Sequence, residues 1–134
     1  MDFFLARFRP QLLSVMRIAI GLVFLQFPVA KIFGFPTHTF GPFNPLSFPV
    51  GVAGVIEAVF GLLLFFGLFT RFAAFILSGE MAFAYFIAHA PQGFFPLLNR
   101  GLPAVVFCFV FLYLAAAGGG PWSLDALWSR DKPV

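Results

Sequence analysis

The residues of this chain that could do chemistry are few, and most lie in stretches that exclude water. Glu57 sits in the run from Pro49 to Arg71, PVGVAGVIEAVFGLLLFFGLFTR. About 20 residues of that run are otherwise apolar, which is the length that crosses a bilayer once as a helix. At helical spacing Ala53, Gly54 and Gly61 share the face of Glu57, while the remaining circumference is Val, Ile, Leu and Phe. Small residues let a second helix approach closely, so Glu57 is expected to face protein and not lipid. An ionisable group at that depth costs about 3 kcal/mol on insertion scales, so it needs a partner and marks a candidate functional site. The plainer alternative is a buried ion pair with a structural role.

Two further apolar runs carry the possible partners. In the run from Leu12 to Gly34, Arg17, Gly21, Phe24, Pro28 and Lys31 fall on one stripe. The run from Phe72 to Ala90 holds Glu80 near its middle, with Tyr85 and His89 towards its end. Rise per residue sorts these groups into two levels. One level holds Lys31, Glu57 and His89, with Tyr85, Gln26 and His38 nearby; the other holds Arg17, with Glu80 nearer the midplane. Opposite charges at similar depth suggest two pairs, Lys31 with Glu57 and Arg17 with Glu80. Glu80 and His89 lie on opposite sides of an ideal helix, so a shared site requires the helix to distort.

An aromatic pocket with a few convergent polar groups would suit a quinone or a similar amphipathic molecule. Lys31, Glu57, Tyr85 and His89 are the candidate binding residues: His89 or Tyr85 would donate to a carbonyl, and Glu57 would relay a proton. The plainer reading of a lone His at the end of an apolar helix is an interfacial anchor. The single cysteine, Cys108, excludes an intrachain disulfide and a CxxCH haem attachment. No phosphate-cradling loop, nucleophile elbow or metal-spaced cluster is present, so no catalytic motif is self-contained and enzymatic activity stays open.

The elements that must position these groups follow from composition. The 134 residues are 61% hydrophobic and 10% charged, with 23 phenylalanines, too little polar surface to clothe a soluble globule. Mean hydropathy is +1.00. The eight Lys and Arg are scattered singly, which argues against a nucleic-acid partner and for topology signals. The expected fold is an all-α integral membrane domain over residues 1–134: a bundle of four transmembrane helices at about 12–34, 50–69, 72–90 and 102–117. Phe35–Phe48 and Pro91–Arg100, rich in Pro and Phe, read as connections at one membrane face. Arg7, Arg9, Arg71, Arg130 and Lys132 mark the other face, against Arg100 and the border residue Lys31. That asymmetry places both termini in the cytoplasm. Ser123 is a candidate N-cap for a short C-terminal interfacial helix anchored by Trp122 and Trp128.

Five segments carry a resemblance: Arg17 in the first span, AKIFG at 30–34, GVIEAVFGLLLFFGLFTR at 54–71, AHAPQGFFPLLNRG at 88–101 and AAAGGGPWSLDAL at 115–127. In order and spacing they are similar to the DoxX family of small four-helix bacterial membrane proteins. The family is named after a relative associated with a terminal quinol oxidase. Wider relatives are linked to thiosulfate:quinone oxidoreduction and to oxidoreductase complexes that respond to thiol or oxidative stress. The resemblance implies a multi-pass protein of the bacterial inner membrane, a subunit or accessory of a quinone-linked redox system. Arg17, Lys31, Glu57, Arg71 and His89 match residue types the family pattern usually has there. Phe27 and Pro28 stand where His-Gly is common, and Leu102 or Pro103 where an acidic residue is frequent; both departures remove polar groups from the expected pocket. The alternative function is a non-catalytic assembly subunit that docks on larger membrane proteins or associates with itself. A small transporter is a third reading, weakened by the little volume that four short helices enclose.

Overall fold

The computed structural model describes residues 3–131, and every regular element among them is helical. A short 3-10 turn, Phe4–Phe8, leads into α1, Arg9–Phe33, which has Pro10 in its first turn and Pro28 inside it. Then come α2, Val50–Phe66, and α3, Thr70–Ala84, which continues as a π-helical turn, Tyr85–His89, and a 3-10 turn, Ala90–Gln92. The chain closes with α4, Pro96–Asn99, α5, Leu102–Ala117, and α6, Leu124–Asp131. Lys132 and the Arg130 side chain, used above for sidedness, lie outside the described residues.

Two helical stretches, Phe4–Phe33 and Thr70–Gln92, are long and apolar enough to cross a bilayer; α2 and α5 are apolar but shorter. At 1.5 Å per residue, 17 residues in α2 rise about 25 Å, a little less than a hydrocarbon core of about 30 Å. α2 ends at Gly67, whose φ of 74° is left-handed and whose N–H reaches back to the carbonyls of Leu63 and Leu64. Only a residue without Cβ takes that conformation cheaply, and it turns the chain directly into α3.

The helices pack as two pairs, α1 on α2 and α3 on α5, joined along α2 and α3. Their common core is aromatic: Phe24 of α1 meets Phe107 and Phe111 of α5 edge to face at 5.4 and 5.0 Å. Leu64, Leu77 and Leu114 complete it. Polarity runs the opposite way from a soluble bundle. Phe72, Phe75 and Phe83 of α3, Phe86 of the π-helical turn and Phe109 of α5 are exposed, whereas Arg17 and Glu57 are each 1% exposed. Hydrocarbon as the surrounding solvent accounts for both facts, because it accepts the phenylalanines and rejects the charges.

Contacts define two ends. At one, Arg17, the α2–α3 turn and residues 118–125 come together. At the other, the C-terminal part of α1, the 35–49 connection and the segment from His89 to Gly101 surround a cavity.

Candidate functional site

Lys31 lies in the last turn of α1 and Glu57 near the middle of α2. Lys31 Nζ is 2.8 Å from Glu57 Oε1 and 2.9 Å from Oε2. Gly54 lies against Lys31, since a Cβ there would stand in contact at 3.4 Å from Lys31 Cβ. The ammonium also lies 5.4 Å from the centre of the Phe40 ring, so the 35–49 connection closes over the pair. Lys31 is 11% exposed and Glu57 1%. At this burial neither charge is tolerable alone, and each is the condition for the other.

The pair forms one wall of a cavity of about 360 Å³, whose lining is otherwise mostly Phe and Ala, with Glu80, His89 and Arg100 as its other polar members. Glu80 comes from the middle of α3 and lines the same cavity as Glu57. Both Glu80 oxygens are buried, and no N–H or O–H of the described residues donates to them. Glu80 and His89 line the same cavity because α3 distorts. The π-helical turn at Tyr85–His89 widens the helix, and the nine-residue spacing no longer sets them on opposite faces.

His89 Nδ1 is 3.1 Å from the Asn99 carbonyl. A carbonyl can only accept, so Nδ1 carries the proton and Nε2 is the acceptor of the neutral ring. Tyr85 stacks on His89 with ring centres 6.4 Å apart but does not line the cavity. Its hydroxyl donates to the Phe94 carbonyl and accepts from Asn99 Nδ2 at 3.2 Å. Asn99 ties the segment together. It is 1% exposed, donates to Gly93 O at 2.6 Å and accepts from Gly101 N–H at 2.8 Å. Tyr85 and Asn99 are therefore the frame that holds His89, and Tyr85 has no free donor for a ligand.

Arg17 stands apart from Glu80, at the other end. Nε donates to Gly119 O at 2.9 Å, one terminal nitrogen to Leu64 O and Phe65 O at 3.0 and 2.6 Å, and the other to Trp122 O at 2.5 Å. The last carbonyls of α2 lack intrahelical partners, and a planar guanidinium satisfies several of them at once. Ser14 assists: its hydroxyl donates to Gly119 O and accepts from Trp122 N–H, both at 3.0 Å. Asp125 accepts from Phe69 and Thr70 N–H at 2.7 and 2.8 Å, capping α3 from 55 residues away. Ser123 caps α6 by accepting from Ala126 N–H at 3.1 Å.

Three residues of these sites are missing from the sequence reading: Asn99, Ser14 and Asp125. Asn99 had a local signal, a polar residue before Gly101 closing an apolar connection. The other two act across the fold and leave none.

A helical bundle with hydrocarbon-compatible sides, a buried ion pair and an aromatic cavity at one end is an integral membrane protein built around a small polar site. Residues 12–90 match the DoxX family profile. The chain belongs to the DoxX family of membrane proteins. It is similar to two uncharacterized proteins of Haemophilus influenzae. One is 44% identical over 125 residues, covering 90% of this chain and 93% of the relative. The other is 33% identical over 95 residues, covering 69% and 63%. No solved structure matches it significantly.

Proposed function

We propose that the protein is a multi-pass component of the bacterial inner membrane, with four spans and both termini cytoplasmic. In this reading it is a subunit or accessory of a quinone-linked redox system, with a quinone headgroup bound in the cavity between α1, α2 and α3. The observation that carries the reading is the polar wall of that cavity. Lys31, Glu57 and His89 converge there in an otherwise apolar, aromatic chamber of about 360 Å³, a size within the usual small-molecule range of about 300–1,000 Å³.

Each residue then has a role. Lys31 uses two N–H donors on Glu57 and keeps a third for a headgroup carbonyl. His89, with its proton on Nδ1, offers Nε2 to a hydroxyl of the reduced form. Glu57 holds the ammonium in place and accepts protons through it. The phenylalanines exclude water and match the ring of the headgroup.

Purification in mild detergent tests this. Quinone is expected to co-purify with the native protein, and its content to fall at least tenfold in Glu57→Gln and in His89→Ala. Native protein free of quinone but carrying a stoichiometric membrane partner that both variants retain would replace this reading by the assembly-subunit one. The phenylalanine-rich outer face of α3 and its π-helical turn, at Phe72, Phe75, Phe83 and Phe86, is the surface such a partner would cover.

A further inference from the structure

Beside Glu80 the cavity wall lacks a matching positive charge. Lys31 lies on both oxygens of Glu57, so its one positive charge is matched there. Glu80 is a second carboxyl on the same wall, with both oxygens buried and no donor among the described residues. The titratable and charged groups near it are Glu57 of α2, Lys31 of α1, His89 beyond α3 and Arg100 before α5. His89 is tied to Asn99, and Arg100 is exposed. α5 contributes only apolar residues to the lining, such as Ala104 and Phe107. A buried carboxylate with no partner is costly, so a further positive charge beside Glu80 is favoured. When the cavity is empty, a proton on Glu80 fills that role.

The rest of the lining suits a different occupant of the same charge. Phe27, Phe40, Phe48, Phe83 and Phe107 surround the space beside Glu80. Ring faces attract cations, and Phe40 already has the Lys31 ammonium at 5.4 Å. A quaternary or protonated amine on a small apolar body would meet rings on its sides and the Glu80 carboxylate at its head.

We propose that this cavity binds a small organic cation at Glu80, in exchange for the proton that otherwise neutralises that carboxyl. The proposal shares its cavity with the quinone reading but turns on Glu80, whereas that reading uses Lys31, Glu57 and His89. Because cation and proton compete for one charge, binding at one face of the bundle releases a proton there, the elementary step of a cation–proton exchanger.

The test titrates full-length protein in mild detergent with benzyltrimethylammonium, whose charge is independent of pH, and with its uncharged isostere neopentylbenzene. The expected result is saturable cation binding with about one proton released per cation, and an affinity that rises by up to tenfold per pH unit while a proton is displaced. Neopentylbenzene is expected to release no proton. Glu80→Gln should lower cation affinity at least tenfold and abolish proton release. Glu80→Asp, which keeps the carboxyl, should retain release and covers the case in which the glutamine variant does not fold. Glu57→Gln frees Lys31 to pair with Glu80 and should abolish release as well. The proposal is overturned if the native protein shows no saturable cation binding, if release persists in Glu80→Gln, or if the uncharged isostere releases protons equally.

Discussion

Lys31 and Glu57 depend on each other, and the dependence can be measured. Methionine at position 31 leaves the Glu57 carboxylate buried with no cation on it. Loss of one partner of a buried pair costs about 3–5 kcal/mol, whereas replacing both by apolar side chains of similar size is often neutral. Lys31→Met is therefore expected to lower the unfolding temperature in detergent sharply. The double variant Lys31→Met/Glu57→Met should recover most of the loss while removing the polar wall of the cavity. Additive losses in that cycle would mean that the two side chains do not act as a unit. Their proximity was legible in the sequence, because rise per residue puts both at one depth. The same argument paired Arg17 with Glu80 and failed, because charge counting ignores backbone carbonyls. The end of α2 offers Arg17 the carbonyls of Leu64 and Phe65, and the C-terminal segment adds Gly119 and Trp122. Four oriented carbonyls bind the guanidinium, and the carboxylate whose field reaches it is Asp125 and not Glu80.

At the scale of elements, the helices were legible from apolar runs and the prolines and glycines between them. What joins them was not. The first helix begins at Arg9, ahead of the apolar run, because Pro10 favours a helical first turn and the preceding turn already curls from Phe4. The end of α3 departs from ideal geometry where Tyr85, His89 and Asn99 lock the 93–101 segment onto it. A period-based reading assumes 3.6 residues per turn and cannot place His89 once that period changes. The stitching of α6 to α3 is equally invisible, since Asp125 caps N–H groups that lie far away in the chain. It is also testable. Asp125→Ala leaves the Phe69 and Thr70 amides without their acceptor and should cost about 0.5–2 kcal/mol. Asp125→Asn, which keeps an acceptor oxygen, should cost less. In hydrogen exchange the alanine variant should show faster exchange at the start of α3 and in α6, with the cavity end unchanged. Equal protection in Asp125→Ala and native protein would show that the cap contributes nothing.

For the whole molecule, the decisive quantity is which end faces which solution. The structure joins Arg17, the α2–α3 turn with Arg71, and the segment leading into α6 at one end. It gathers the 35–49 connection and the 93–101 segment at the other. The positive charges follow this division. Arg7, Arg9 and Arg71 belong to the first end, while the second has Arg100 and the neutralised Lys31. An excess of Lys and Arg in short loops is retained on the cytoplasmic side, so the cavity end should face out. The two shorter helices fit this arrangement. α2 and α5 fall a few ångströms short of the hydrocarbon thickness, and exposed Phe48, Phe94 and Phe95 extend the apolar band at the cavity end. In a Cys108→Ser background, Thr39→Cys samples the cavity end and Ser129→Cys the α6 end. With an impermeant maleimide, Thr39→Cys should label in spheroplasts and Ser129→Cys only after the membrane is permeabilised. The reverse pattern would invert the molecule, and labelling of both in spheroplasts would put the termini on opposite sides of an odd number of spans. The reversed pattern would also move the exchange, because a proton or cation exchanged at Glu80 would then enter from the cytoplasm.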